Sequence, residues 1–98
     1  MAGDVEEVGI MTSGERMRII KEYAAHQPVV RMDLADIKPV LPRGILNGYS
    51  RSKGYIIVDK KTHEIIDGNH RYAEAQDDGL KALYVKLVDP SAIRRLKE

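Results

Sequence analysis

The sequence predicts a small α+β domain, in which a mixed β-sheet is flanked by helices. Short runs rich in β-branched residues alternate along the chain with amphipathic, helix-like segments. The length of 98 residues corresponds to a single domain, and 43% hydrophobic and 32% charged residues are typical of a globular protein. Because there is no Phe and no Trp, we expect an aliphatic core with tyrosines at its margins.

The N-terminal half is predicted to contain one helix and one strand. Residues 1–11 are interpreted as a flexible arm and residues 12–98 as a single domain. Thr12 and Glu15 form a capping-box pattern, which predicts a helix over residues 13–26 that ends before a proline. Its apolar stripe would consist of Met17, Ile20, Tyr23 and Ala24. The segments that follow are a strand at 29–32, a single turn at 34–37, an extended proline-containing stretch at 38–42 and a glycine-containing loop at 44–54.

The C-terminal half is predicted to contain a hairpin, a helix, a strand and a last short helix. Two β-rich runs, at 55–58 and 64–66, are joined by a short polar segment and indicate the hairpin. Residues 70–78 have helical composition, and a glycine follows as a C-terminal cap. The alternating residues 83–88 predict a strand. Asp-Pro after this strand predicts a short helix that continues through residue 96.

Composition excludes several classes of function. The chain has no cysteine, which excludes disulfides, zinc–thiolate sites and thiol catalysis. The formal charge of +1 does not by itself indicate nucleic-acid binding. No apolar run approaches the ~20 residues that span a bilayer, and no secretion signal is recognisable at the N-terminus. We therefore expect a cytoplasmic protein that does not contact membranes.

The junction Asp67-Gly68-Asn69-His70-Arg71 is the candidate site. A predicted strand ends there, a glycine follows, and a predicted helix begins. The first N–H groups of a helix have no partner inside the helix and lie at the positive end of its dipole, so they can bind an anion. Arg71 would add a guanidinium suited to phosphate oxygens, and His70 a donor or an acid–base group. These features predict a phosphate-binding turn.

Two alternatives at this junction remain open. Asp67 would repel a phosphate unless it caps the helix or holds a magnesium ion, and the sequence does not decide between these two roles. Asp-Gly and Gly-Asn are also hairpin signals, so residues 65–72 could instead form two strands joined by a tight turn. The composition of residues 73–76 favours the helix.

The chain resembles the ParB/sulfiredoxin superfamily over about residues 29–96. Residues 67–75 are similar to the nucleotide-binding signature of that family. Residues 32–39 resemble the segment that opens its domains. Residues 85–88 and the following helix resemble its last strand and helix. Members bind ATP, CTP or ADP at this turn, some of them with magnesium, and some relatives are described as nucleases. The resemblance implies a similar fold but does not determine the reaction.

The resemblance assigns roles to individual residues. Gly68, Asn69, His70 and Arg71 would bind phosphate. Asp67 would orient the loop or hold magnesium, and together with His70 it is a catalytic candidate. Asn69 replaces the sulfiredoxin cysteine, so sulfinic acid reductase activity is excluded. Further nucleotide contacts could come from the basic residues of the upstream segment, Lys38 and Arg43.

The expected function is nucleotide binding, with either a nucleoside diphosphate or a triphosphate. Magnesium-dependent hydrolysis or phosphoryl transfer would be the associated enzyme activity. The first alternative is a DNA-binding or nuclease module that uses the basic residues Arg51, Lys53, Lys60 and Lys61. The second is an adaptor domain without a ligand. The sequence leaves the identity of the nucleotide and the oligomeric state open.

Overall fold

A computed structural model describes residues 11–40 and 55–97. These residues form a four-stranded mixed sheet with one α-helix packed on each face, which confirms the predicted α+β class. The predicted arm except for its last residue, and the predicted loop at 44–54, lie outside the described residues. So do three residues for which the sequence suggested nucleotide or nucleic-acid contacts: Arg43, Arg51 and Lys53.

The sheet contains both parallel and antiparallel strand pairs. Its strands are β1 (Val29–Asp33), β2 (Ile56–Asp59), β3 (Ile65–Asp67) and β4 (Ala82–Val88), in the spatial order β1-β4-β2-β3. The long strand β4 pairs antiparallel with β1 and parallel with β2. Strands β2 and β3 form the predicted antiparallel hairpin.

Helix α1 (Ser13–Ala24) begins at the predicted capping box. Glu15 N–H donates to the Thr12 hydroxyl oxygen at 3.1 Å, and Thr12 N–H donates to the Glu15 carboxylate at 3.2 Å. The predicted apolar stripe was partly wrong, because Ile19 is buried whereas Tyr23 is exposed. These two positions lie one turn apart on the same side of the helix. The aliphatic side chain of Ile19 is buried in the core, whereas Tyr23, whose hydroxyl is polar, lies at the solvent-exposed margin.

The aliphatic core lies in two layers, one on each face of the sheet. The layer between the sheet and α1 consists of Ile19, Ile20, Ala24, Ile57, Val88 and Ile93, and Met11 from the predicted arm packs against it. The layer on the opposite face includes the second helix, α2 (Asn69–Asp77), and consists of Leu34, Ile37, Ile56, Val58, Ile65, Tyr72, Ala75 and Val85. The core is aliphatic as expected except for Tyr72, which is buried within the α2 layer and does not lie at its margin.

The predicted continuous C-terminal helix was wrong. Asp89 caps the segment as expected, because its carboxylate accepts the Ser91 N–H at 3.0 Å. The chain then forms two 3₁₀ turns, Pro90–Ala92 and Arg94–Lys97, separated by Ile93 in an extended conformation. Ile93 is only 4% exposed and packs under α1. The helix is therefore interrupted at the residue whose side chain is buried, and the local sequence does not indicate this interruption.

Candidate functional site

The residue before the candidate turn is oriented by an irregularity in the hairpin. Val58 pairs with Ile65, whereas the preceding residue Ile57 pairs with Asp67, so β3 holds one extra residue at Ile66. Such a bulge reverses the face toward which the next side chain points. Asp67 therefore shares the face of Ile57, which is the face covered by α1.

On that face, Asp67 meets a cation from α1. The Lys21 ammonium lies 3.8 Å from the Asp67 carboxylate, and both side chains are about half exposed to solvent. An ion pair of this kind contributes little to stability. It does place a positive charge beside the candidate turn, and it partly balances the charge of the carboxylate.

Gly68 connects β3 to α2 in a conformation that suits glycine. Its φ of 113° and ψ of 24° are left-handed, and it occupies the N-cap position of the helix. The Tyr72 N–H donates to the Gly68 carbonyl at 3.0 Å and closes the first turn. The alternative of a tight β-turn between two strands was therefore wrong, and the predicted strand–glycine–helix junction is confirmed.

The missing side chain of Gly68 faces the core. A Cβ at this position would lie 2.9 Å from Ile56 Cγ1 and 3.3 Å from Ile56 Cα. The glycine thus allows the turn to pack directly against β2, a close approach that a side chain would prevent. This packing fixes where the N-terminus of α2 points.

Asn69 ties the upstream segment to the beginning of α2. Its side-chain oxygen accepts the Val40 N–H at 3.2 Å. Two residues earlier, Lys38 forms a parallel bridge next to β3, in which its N–H donates to His63 and its carbonyl accepts from Ile65, each at 2.9 Å. The structure therefore places Lys38 at the edge of the sheet that carries the turn. The Lys38 side chain is exposed there.

The remaining residues of the turn lie on a helix that is anchored to the core. His70 and Arg71 are half-buried, and Tyr72 is buried. The Tyr72 hydroxyl donates to the Leu34 carbonyl at 3.2 Å, which links the first turn of α2 to the 3₁₀ turn Leu34–Asp36. His70 and Arg71 are thus held on a fixed element at the position where the sequence predicted them.

Lys60 and Lys61, the two lysines of the hairpin tip, have different surroundings. The Lys61 ammonium lies 3.5 Å from the Asp89 carboxylate and donates to the Ser91 hydroxyl at 3.3 Å. The Lys60 side chain is exposed. The tip itself is ordered by Asp59, whose carboxylate accepts the N–H groups of the second and third residues after it. Of the two hairpin-tip lysines suggested for nucleic-acid contact, Lys61 is therefore engaged by the C-terminal segment.

Over the described ranges 11–40 and 55–97, no group of three or more His, Asp or Glu side chains is arranged to hold a metal ion. None of the helices formed by these residues is both long and apolar enough to cross a bilayer. Comparisons with family models, curated proteins and solved structures returned no match. The resemblance to the ParB/sulfiredoxin superfamily therefore stays a prediction from sequence motifs.

Proposed function

We propose that this protein binds the phosphate group of a nucleotide at the N-terminus of α2, in the turn formed by residues 68–71. The supporting observation is the left-handed Gly68, which sits at the N-cap of a nine-residue helix. The first donor with an intrahelical bond is Tyr72 N–H, so the amides of Asn69 and His70 lie before the hydrogen-bonded ladder. A phosphate at this position would meet backbone donors and the positive end of the helix dipole.

Two side-chain cations near the turn bear on this proposal, one within the turn and one beside Asp67. Arg71 lies in the first turn of α2, where a planar guanidinium matches phosphate oxygens. Lys21 of α1 pairs with Asp67, the residue before the turn. Because Asp67 faces this ammonium, the like-charge repulsion expected between the carboxylate and a phosphate is reduced.

A chemical reaction of the bound nucleotide would require further groups beside the phosphate-binding turn. Hydrolysis or phosphoryl transfer would use His70, the titratable group on α2 nearest to the turn, as the acid–base residue. Asp67 would hold the magnesium ion, which would neutralise phosphate charge, and would have to leave its contact with Lys21 to do so. Of the residues that the sequence suggested for DNA contact, Lys61 is engaged by Asp89 and Ser91, so the hairpin tip gives the DNA-binding alternative no specific support.

The direct test is a titration with ATP, CTP and ADP, with and without magnesium, followed by amide chemical shifts. We expect the largest shifts at residues 68–71. Arg71→Ala should weaken binding by about tenfold or more, because a hydrogen-bonded contact to a charged group is lost. Arg94→Ala, which removes an exposed guanidinium from the C-terminal 3₁₀ turn, is the matched control. An affinity equally unaffected by both substitutions, or shifts centred elsewhere, would refute the proposal.

Asp67→Asn distinguishes the two roles of the carboxylate. If Asp67 only pairs with Lys21, the amide removes a negative charge near the phosphate, and affinity without magnesium is retained or increased. If Asp67 holds magnesium, affinity without the metal still does not fall, but the gain in affinity on adding magnesium is lost. The paired titrations therefore separate a positioning role from a metal-binding role.

A further inference from the structure

Within residues 11–40 and 55–97, the elements of the structure cover only part of the sheet face that carries α1. Helix α1 contacts β2, β3 and the end of β4, through Ile57, Asp67 and Val88. The rest of that face, toward β1 and the beginning of β4, carries Tyr84, which is 61% exposed. Tyr55, immediately before β2, is 50% exposed.

Strand register places these two tyrosines side by side. Ile56 pairs with Val85 in the parallel ladder between β2 and β4, so the residues just before each of them, Tyr55 and Tyr84, are neighbours across the two strands. The Lys86 ammonium lies 5.8 Å from the centre of the Tyr55 ring, which puts that ring on the face of Lys86. Tyr84 shares this face because alternate residues of a strand point the same way. Adjacent strands are about 4.8 Å apart, so the two exposed tyrosines make this part of the face an aromatic surface.

Cations border this aromatic surface on two sides. Arg31 lies directly opposite Tyr84 in the antiparallel pair of β1 and β4, and Val29 lies opposite Lys86. Arg31 contacts Asp33 at 3.6 Å, but both side chains are largely exposed, so the pair is weak and exchangeable. The Lys86 ammonium also donates to the Ala25 carbonyl at 3.3 Å, which holds it beside the rings.

We propose that this surface, called here the tyrosine face and formed by Arg31, Tyr55, Tyr84 and Lys86, binds single-stranded nucleic acid. Two exposed rings on neighbouring strands provide stacking positions for two successive bases, and stacking tolerates any base because each has a π-face. The guanidinium and the ammonium beside the rings complement the phosphates of a backbone that crosses the strands. A duplex fits less well, because its bases are already stacked on one another.

The tyrosine face is separate from the turn at residues 68–71. The turn leads into α2, which covers the opposite face of the sheet with Tyr72 and Ala75. Binding at the tyrosine face therefore needs neither Gly68 nor Arg71. The two proposals can fail or succeed independently.

The test measures anisotropy of fluorescein-labelled oligo(dT) and oligo(rU), with a duplex of equal length for comparison. Tyr84→Ala should weaken binding of the single strands at least about fivefold, the effect expected for loss of one stacked base. Tyr84→Phe keeps the ring and should bind like the wild type. Tyr23→Ala removes an exposed tyrosine from α1, away from this face, and serves as the matched control.

Further measurements distinguish single-stranded nucleic acid from a duplex or a second copy of the chain as the ligand of the tyrosine face. Arg31→Gln should lower the affinity and make it less dependent on salt, because one phosphate contact is lost. Arg94→Ala, which removes an exposed guanidinium outside both proposed sites, should leave oligonucleotide binding unchanged. The proposal is overturned if neither oligonucleotide binds saturably, if the duplex binds as tightly as the single strands, or if Tyr84→Ala behaves like Tyr23→Ala. It is also overturned if sedimentation shows a dimer that Tyr84→Ala dissociates, since the face would then bind a second copy of the chain.

Discussion

Replacing Gly68 by alanine should destabilise the fold through two separable effects. The first is conformational, because a φ of 113° is costly for a residue with a Cβ, by about 1–2 kcal/mol. The second is steric, because the new Cβ would lie 2.9 Å from Ile56 Cγ1 and 3.3 Å from Ile56 Cα. Ile56 is 1% exposed and belongs to the α2 layer of the core, so it cannot move aside freely. Overpacking of this kind costs about 1–3 kcal/mol.

The net effect of Gly68→Ala follows from these terms and one opposing term. Alanine restricts the unfolded chain and returns about 0.4–1 kcal/mol of stability. We therefore expect a loss of about 3 kcal/mol in the free energy of unfolding, which corresponds to a fall in Tm of at least about 10 °C in a domain of this size. Circular dichroism during thermal and urea unfolding measures both quantities.

Gly79→Ala provides the matched control. Gly79 also has a positive φ, of 76°, but a Cβ there would meet no atom within 4 Å. Only the conformational and unfolded-state terms apply, so the expected loss is about 1 kcal/mol. If Gly68→Ala costs no more than Gly79→Ala, the turn does not pack against Ile56 as described. The position of the α2 N-terminus, on which the phosphate site depends, would then be unsupported.

Two further substitutions test the elements that hold the site. The hydrogen bond between Glu15 and the Thr12 backbone lowers the pKa of the Glu15 carboxyl. The ionised carboxylate therefore stabilises the folded state above its ordinary pKa of 4.5. This contribution is lost as the pH falls through the lowered pKa. Glu15→Gln should therefore flatten the decline of Tm below about pH 4.5, and parallel Tm curves for both proteins would contradict this assignment. Tyr72→Phe removes the buried hydrogen bond to Leu34 and should lower the free energy of urea unfolding by about 1 kcal/mol. An unchanged value would show that this bond does not anchor α2.

Local signals explain which parts of the fold could be predicted from sequence. The Thr12–Glu15 capping box, the hairpin and the α2 segment with Gly79 behind it each depend on residues close together in the chain, and all three were confirmed. The C-terminal segment was mispredicted because the conformation of Ile93 accompanies burial under α1, a distant element. The same reason explains Tyr23, whose exposure depends on how α1 lies over the sheet.

The charge environment of the candidate turn could not be predicted, because it depends on strand register. Sequence spacing places Asp67 next to Gly68 but does not show toward which face its carboxylate points. Without the extra residue at Ile66, Asp67 would share the face of Ile65, which belongs to the layer beneath α2. Its negative charge would then lie on the side of the helix whose N-terminus is proposed to bind phosphate.

The bulge therefore has an electrostatic consequence as well as a geometric one. By turning Asp67 toward α1, it places the carboxylate 3.8 Å from the Lys21 ammonium and away from the layer beneath α2. The beginning of α2 keeps its backbone donors and the positive end of its dipole, both of which favour an anion. The extra residue at Ile66 thus separates the Lys21–Asp67 ion pair, on the α1 face of the sheet, from the N-terminus of α2, which packs on the opposite face.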